Sequence, residues 1–571
     1  MRTTCPLDCY DACSVIYKDN KLIGDTAHPF TNGYLCPNLH SYHVEKTLQN
    51  ASYRGKKIEL NYAIKILIKK LKQYQNSKNL YFKGGGNFGM MQNITGEFFS
   101  KYGAYFTKGS LCDSAGEAGI IRGRGKNYIL STNQIAKSDV VVVWGRNIDT
   151  TNSHMWNIIK DKTLIVIDPI KTTIAKKAHI HLQITPRSDF ELALLFSRFA
   201  YLEEMIDYEC IKKHNADFDG YLDFLQSYTI NGMLKKTDIS VDKFMKALTA
   251  FKDKKVSFLV GVGVQKYTNG SDVLRAIDSF ALSIGKFGVE GCGVSYLGSS
   301  MLGFDNPFDY HLKKVAKPNI KFEEFDLVFI QGANPLSQMP NSNKVRQGLE
   351  KSKFIIYFGL YKNETSKIAD LVIPACSFLE KEDVRFSYGS EYIGIMPKLK
   401  ELTHGISEYK LTKKLLKKFK FEAIKKPSKI IKQVIESNSN FKNHLIMSKS
   451  YNTIPQIESF EFIEDSEDAS KIYQEEGFYL VTPKYRYSLN SQFKTATHIY
   501  IPKNLNIENE EIVEVSSKYG TFKAKAKVCD SLRDDCIMIY SGTKGVNNLT
   551  PSTLSDEGFG ACYQEVKVTI T

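Results

Sequence analysis

Residues 139–172 read DVVVVWGRNIDTTNSHMWNIIKDKTLIVIDPIKT. The run of β-branched residues before Gly145 is continuous rather than alternating, which suits a strand buried on both faces of a parallel sheet. After the glycine come Asn147, a spacer long enough for a helix, and a second apolar run that ends at Asp168. The same plan returns at LVFIQGANPLSQ (327–338) followed by FIIYFGLYKNET (354–365), with Asn334 two residues after its glycine. Further runs of this kind are NLYF before Gly84, VSFLVGVG at 256–263 and ADLVIP at 369–374. Strands spaced by helix-length segments predict doubly wound α/β domains with parallel sheets. Two related, nucleotide-sized half-sites are expected at the carboxyl ends of the strands.

Outward from this centre the pattern changes. Residues 1–55 are rich in turn formers between short apolar runs and read as a small β-rich module. Residues 61–75 carry apolar side chains at helical spacing. The stretch 410–432 is strongly basic and reads as a solvated helix face within a linker, not as a nucleic-acid patch. Beyond 475, EEIVEVSSKYGTFKAKAKV and YQEVKVTI alternate with period two, which predicts a β-barrel-like C-terminal domain. The expected division is 1–55; 56–130 with 285–410; 131–284 as a Rossmann-like unit; 411–474 as a basic helical linker; and 475–571.

With 571 residues, 42% hydrophobic and 24% charged, the chain has the balance of a large globular protein. No apolar run reaches the ~18 residues of a membrane helix. The net charge of +15 suits an anionic cofactor or partner and carries no fold information. Cys5 follows Met1 too closely for a leader segment, so a cytoplasmic location is expected.

Four of the 11 cysteines fall in the first 36 positions as Cys5, Cys9, Cys13 and Cys36, in the pattern C-x3-C-x3-C-x22-C. Three thiolates on one short loop with a distant fourth suit a [4Fe-4S] cluster. Structural zinc, which favours two C-x2-4-C pairs, is the rival. His40 and His43 read as surface residues of a turn.

CPLDCYDAC followed by GYLC resembles the amino-terminal cluster motif of the molybdopterin oxidoreductases of the dimethyl sulfoxide reductase family. The likeness continues in order along the chain. DVVVVWGRN, IDPIKTTIAKKA and TPRSDFELAL resemble that family's first pterin-nucleotide half, and QGANPLSQMPN resembles the second. ADLVIPACSFLEKEDVRFSYGSEYI resembles its "ADxVLPxxxxLExxD" stretch. YLVTPKYRYSLNSQF and GVNNLTPSTLSDEGFGACYQEV resemble its C-terminal cofactor-covering domain. The resemblance implies a [4Fe-4S] cluster and a molybdenum or tungsten ion on two pterin guanine dinucleotides.

It also assigns roles. Cys112, in GSLCDSAGEAG, stands where relatives of periplasmic nitrate reductase place a metal-ligating cysteine; Ser110 and Ser114 are rival oxygen ligands, and a buried core cysteine is the bland alternative. Asp113, where formate dehydrogenases of the family carry histidine, weighs against formate oxidation. The GGGNFG run, with Gly84, Gly86 and Asn87, implies a loop against a pterin phosphate. Asp168 and Asp189 match ribose- and guanine-binding positions, where a carboxylate accepts hydrogen bonds. Asn147, Asn334, Asn490, Gln492 and Asn548 are the remaining cofactor contacts. Asp370, Glu380 and Asp383 share the most family-like stretch without an assigned role. Relatives often carry a lysine two residues after the fourth cluster cysteine; Asn38 stands here, with His40, His43 or Lys46 as substitutes.

The implied function is a molybdenum or tungsten bis-pterin oxidoreductase performing two-electron chemistry, including oxygen-atom transfer, on a small substrate. The cluster would relay electrons to a separate electron-transfer protein. The alternatives are a metal-free iron-sulfur electron-transfer or scaffold subunit of the same fold and a non-redox hydratase-type member.

Overall fold

The computed structural model describes residues 1–42, 47–308, 310, 312–442, 445–451, 453–466 and 475–571. Arg2–Thr4, Ser14–Lys18 and Lys21–Gly24 form a three-stranded antiparallel sheet. Thr4 pairs with Ser14 in that sheet, which brings Cys5 and Cys13 to the two ends of one short loop.

The 139–172 stretch forms the middle of a five-stranded, all-parallel sheet. Its spatial order is Ile180–Leu182, Thr163–Ile167, Val140–Trp144, Val256–Val260, Gly293–Ser295. The chain runs outward from the central strand to one edge, then returns to build the other side. Val140–Trp144 and Val256–Val260 therefore flank a topological switch point, where a crevice opens beyond the carboxyl ends. Val141, Val142 and Val143 have no solvent exposure, the expected fate of a continuous apolar run covered on both faces. Helices Asp189–Leu202 and Gly270–Ser283 pack into the same core.

The second half-plan forms a six-stranded sheet. Asn79–Lys83, Leu327–Gln331, Phe354–Gly359 and Leu371–Pro374 are parallel, and Ala51–Tyr53 with Lys56–Ile58 add an antiparallel edge. That hairpin places 51–58 with this sheet, so the boundary expected at 55 falls inside a single turn. Leu60–Gln73 covers the sheet with Ala63, Ile64, Leu67 and Leu71, one helical stripe.

The basic segment expected as a linker is packed. Glu408–Phe419 buries Leu411, Leu415 and Leu416 in the core of the six-stranded sheet and leaves its lysines to solvent. Ile457, Phe460, Phe462 and Ile463 join the core of the five-stranded sheet. Charge on one helix face hid the apolar stripe on the other.

Near the C-terminus six strands close a barrel in the order Phe478–Val481, Cys536–Met538, His498–Ile501, Gly520–Val528, Ile512–Ser517, Lys567–Ile570. The whole is a mixed α/β multidomain fold. Among the described residues no helix is long and apolar enough to cross a membrane.

Candidate functional site

One cavity of about 680 Å³ lies where the cysteine loop, the carboxyl ends of both parallel sheets and the barrel meet. Cys5, Cys9, Cys13 and Cys36 line one part of it, and Cys112, Asn147, Asp168, Asp189, Gly84, Gly86, Asn87, Asn334, Asn490 and Gln492 line the rest. Of the expected contacts only Asn548 stays out. Its Oδ1 accepts from Ser342 Oγ at 2.7 Å, while the neighbouring Asn547 faces the cavity.

The Cys5 amide donates to Cys13 O at 2.9 Å and closes the cysteine loop. None of the four cysteines forms a disulfide. Burial pushes the Cys5 thiol up to about 12, with Arg385 opposing, and burial also raises Cys9, Cys13 and Cys36. Four clustered thiols that resist ionisation are costly as bare thiolates and suited to a metal that draws the protons off. Beside them, His154 Nε2 lies 4.0 Å from Cys13 Sγ and 3.1 Å from Tyr34 O, and its Nδ1 lies 2.7 Å from Asp11 Oδ2. Burial alone would lower this imidazole, but Asp11 outweighs it and holds the pKa up. Asp11 in turn accepts from Asn152 Nδ2, and Arg146 Nη2 donates to Asn152 Oδ1.

Cys112 precedes helix Ser114–Arg124 and is exposed, opening into the cavity instead of packing in the core. Its carbonyl accepts from Gln265 Nε2 and Lys266 Nζ, both at 2.6 Å, so the chain just after the Val256–Val260 strand fixes the loop. Although the side chain is open to the cavity, the protein around that cavity withholds solvation from a thiolate and pushes this thiol up to about 12, with Asp113 adding and Lys266 opposing. Ser110 Oγ accepts from the amides of Cys112, Asp113 and Ser114, and Ser114 Oγ accepts from the Ser110 amide. Both hydroxyls thus hold the turn together and leave the thiol as the group facing inward.

Asp168 Oδ1 accepts from the Ile170 amide at 2.8 Å, and Asp189 Oδ1 accepts from Trp144 Nε1 at 2.7 Å. Burial pushes each carboxyl up to about 7. Asn147 Oδ1 is buried and without a partner. At the glycine-rich loop, Gly84 lies so close to its neighbour that a Cβ would meet Gly332 O at 2.4 Å. Lys83 and Lys317 are enclosed there, with burial pushing each ammonium down to about 8. An orphaned amide oxygen and two acids at the first half-site fit a nucleotide, and two enclosed ammonium groups beside a bare backbone at the second fit a phosphate.

Sequence reasoning did not find Lys266, Lys317, His154 or Arg385. Lys83 stands directly before the glycine run and carried a signal; the others come from distant segments. Asn38 Nδ2 donates to Arg486 O at 3.2 Å, and His40 is exposed, so neither places a base between the cysteines and the cavity. His43 and Lys46 lie outside the described residues. Asp370 Oδ2 accepts from the Ile355 amide, and Glu380 forms a capping box with Ser377. Asp383 accepts from the Met91 amide at 2.8 Å and so anchors the end of the glycine-rich loop.

The family model for molybdopterin oxidoreductases matches residues 59–396. The chain belongs to the molybdopterin oxidoreductase family. A second family model, the molybdopterin dinucleotide-binding domain, matches residues 478–567, which include the barrel strands from Phe478–Val481 onward. The chain is 27% identical over 432 residues to a probable oxidoreductase, YyaE, of Bacillus subtilis, covering 68% of this chain and 63% of the relative. It is 26% identical to a nitrate reductase of Shewanella frigidimarina, covering 63% of this chain and 44% of that one. To the F420-dependent formate dehydrogenase subunit alpha of Methanocaldococcus jannaschii it is 24% identical, covering 67% and 64%. The chain thus spans less than two thirds of the length of these relatives. In fold it is similar to acetylene hydratase from Pelobacter acetylenicus, with a TM-score of 0.78 at 15% identity, covering 100% and 99% of the two chains. Members of this family are molybdenum or tungsten bis-pterin oxidoreductases acting on small substrates, and the cavity of this chain is lined by both parts that the family models match and by the cysteine loop that precedes them.

Proposed function

We propose that this member of the molybdopterin oxidoreductase family catalyses two-electron transfer, including oxygen-atom transfer, on a small substrate. The observation that carries the reading is the shared cavity: four clustered cysteines, an inward-facing Cys112 and two strand-end half-sites line one space. Cys5, Cys9, Cys13 and Cys36 would hold a [4Fe-4S] cluster, and Cys112 would ligate molybdenum or tungsten. Asn147, Asp168 and Asp189 would take one guanine nucleotide, and the loop at Gly84, Gly86 and Asn87 would take a pterin phosphate with Lys83 and Lys317. Bound there, the metal on its pterins supplies two-electron redox chemistry and the cluster one-electron transfer.

The chain's own groups orient and exclude water. Lys266 and Gln265 fix the Cys112 carbonyl and so the direction of the thiol. Asn490 Nδ2 donates to Asp8 Oδ2 at 2.7 Å and draws the C-terminal part over the cysteine loop. A metal-free scaffold gives no reason for a thiol left open to the cavity. The reading includes a separate electron-transfer protein as partner, a cytoplasmic location, and 131–284 and 475–571 as structural units.

Metal and nucleotide analysis of anaerobically purified protein tests it. About four irons, one molybdenum or tungsten and two guanine nucleotides per chain are expected. Iron alone, from a host that makes the cofactor, would turn the reading to an electron-transfer subunit, and zinc in place of iron would remove the cluster.

A further inference from the structure

We infer that Arg385 sets the reduction potential of the cluster, by fixing one positive charge against the cysteine loop. The inference rests on reading Cys5, Cys9, Cys13 and Cys36 as cluster ligands. Arg385 lies in strand Asp383–Phe386 and has no solvent exposure. Its Nη1 donates to Cys5 O, and its Nη2 donates to Cys9 O at 3.1 Å. On the other side its guanidinium lies 5.6 Å from the ring centre of Phe88, within the glycine-rich loop. Arg385 therefore stands between the cysteine loop and the loop expected against a pterin.

Two further observations point to a ligand. Among the described residues no carboxylate forms an ion pair with Arg385, and its Nε is buried with no hydrogen-bond partner. A guanidinium keeps its charge, and burying it without a counter-ion is costly. Clamping two carbonyls does not require that charge, since a neutral amide can donate twice. Four thiolates around a cubane leave the cluster net anionic, which supplies the missing counter-charge. Reduction adds one electron to the cluster and moves no proton at Arg385. A fixed cation favours that more negative state, so it raises the potential.

The test uses full-length, anaerobically purified protein, with iron analysis and a potentiometric titration followed by electron paramagnetic resonance. In R385Q, with iron retained, the midpoint should fall by at least about 59 mV, a tenfold weaker hold on the electron. R385K, which keeps the charge, should fall by less than half as much. A wild-type midpoint in iron-loaded R385Q overturns the inference and leaves the cluster reading intact. If R385Q loses its iron, R385K decides. Iron with a near wild-type midpoint supports the inference; lost iron, or a fall of about 59 mV or more, makes Arg385 a clamp and overturns it. Wild-type protein without iron would overturn the cluster reading itself, a result separate from all of these.

Discussion

The two half-sites share a backbone plan and use it differently. In each, a buried parallel strand ends in glycine and an asparagine follows two residues later, at Asn147 and at Asn334. Asn147 keeps its amide oxygen unpartnered in the cavity wall. Asn334 spends its amide on the protein: Nδ2 donates to Glu364 Oε2 at 2.9 Å and Ser491 Oγ at 3.1 Å, and Oδ1 accepts from Thr365 Oγ1 at 2.9 Å. The next strand ends at Asp168 in the first half, whereas Leu360 follows Gly359 in the second. One half thus leaves an amide oxygen unpartnered in the cavity wall, while the other braces a helix and the loop after the first barrel strand, with Lys83, Lys317 and the glycine-rich loop beside it. Equal topology fixes where a side chain stands; its neighbours fix whether it is free to bind.

The largest expected effect is on pH dependence. Asp168 and Asp189 sit near 7 in the folded protein and near 4 when unfolded. The folded state holds these protons more tightly, so this contribution is fully present below about pH 4 and is lost as pH rises through about 7. Each acid contributes at most about 1.4 kcal/mol per pH unit in that window. Thermal midpoints of cofactor-free protein should fall from pH 4 to 7, and D168N and D189N should each flatten the slope. An unchanged slope in both would break the contrast between a ligand-facing half and a braced one.

Next in size, N334A should cost about 2–3 kcal/mol, because it strands the partners of that amide. N147A should stay within about 0.5 kcal/mol of wild type yet release more guanine nucleotide on gel filtration. Urea midpoints separate the two. The smallest effect concerns the glycines. Gly145 and Gly332 have φ of +56° and +55°, so alanine at either carries a strain of about 1–2 kcal/mol. A Cβ at Gly145 would meet Val264 Cγ1 at 2.5 Å, whereas at Gly332 the nearest atom is Gly86 Cα at 3.1 Å. G145A should therefore be the less stable by about 1 kcal/mol, again by urea midpoint.

The sheets were legible because their strands are continuous apolar runs, a pattern that survives without knowing what covers them. The C-terminal barrel was legible from its period of two. The packing of Glu408–Phe419 was harder to read, since Glu408, Thr412 and five lysines, seven charged or polar side chains, surround the stripe formed by Leu411, Leu415 and Leu416. At the site, Cys112 and the two acids were readable from motifs. Arg385 was not, because its meaning lies in carbonyls about 380 residues away, and no local pattern marks a main-chain acceptor. His154 likewise meets Asp11 and Tyr34 only through the fold, from segments more than 100 residues away.

The barrel also has a consequence in time. It is built from 478–570, and Asn490 reaches back to Asp8 while Arg533 reaches Asp238. A ribosome finishes these residues after everything they cover. Until then the crevice between the sheets has walls but lacks the residues that the barrel part contributes to its lining. Synthesis order thus leaves the crevice open on one side until the barrel strands have been made.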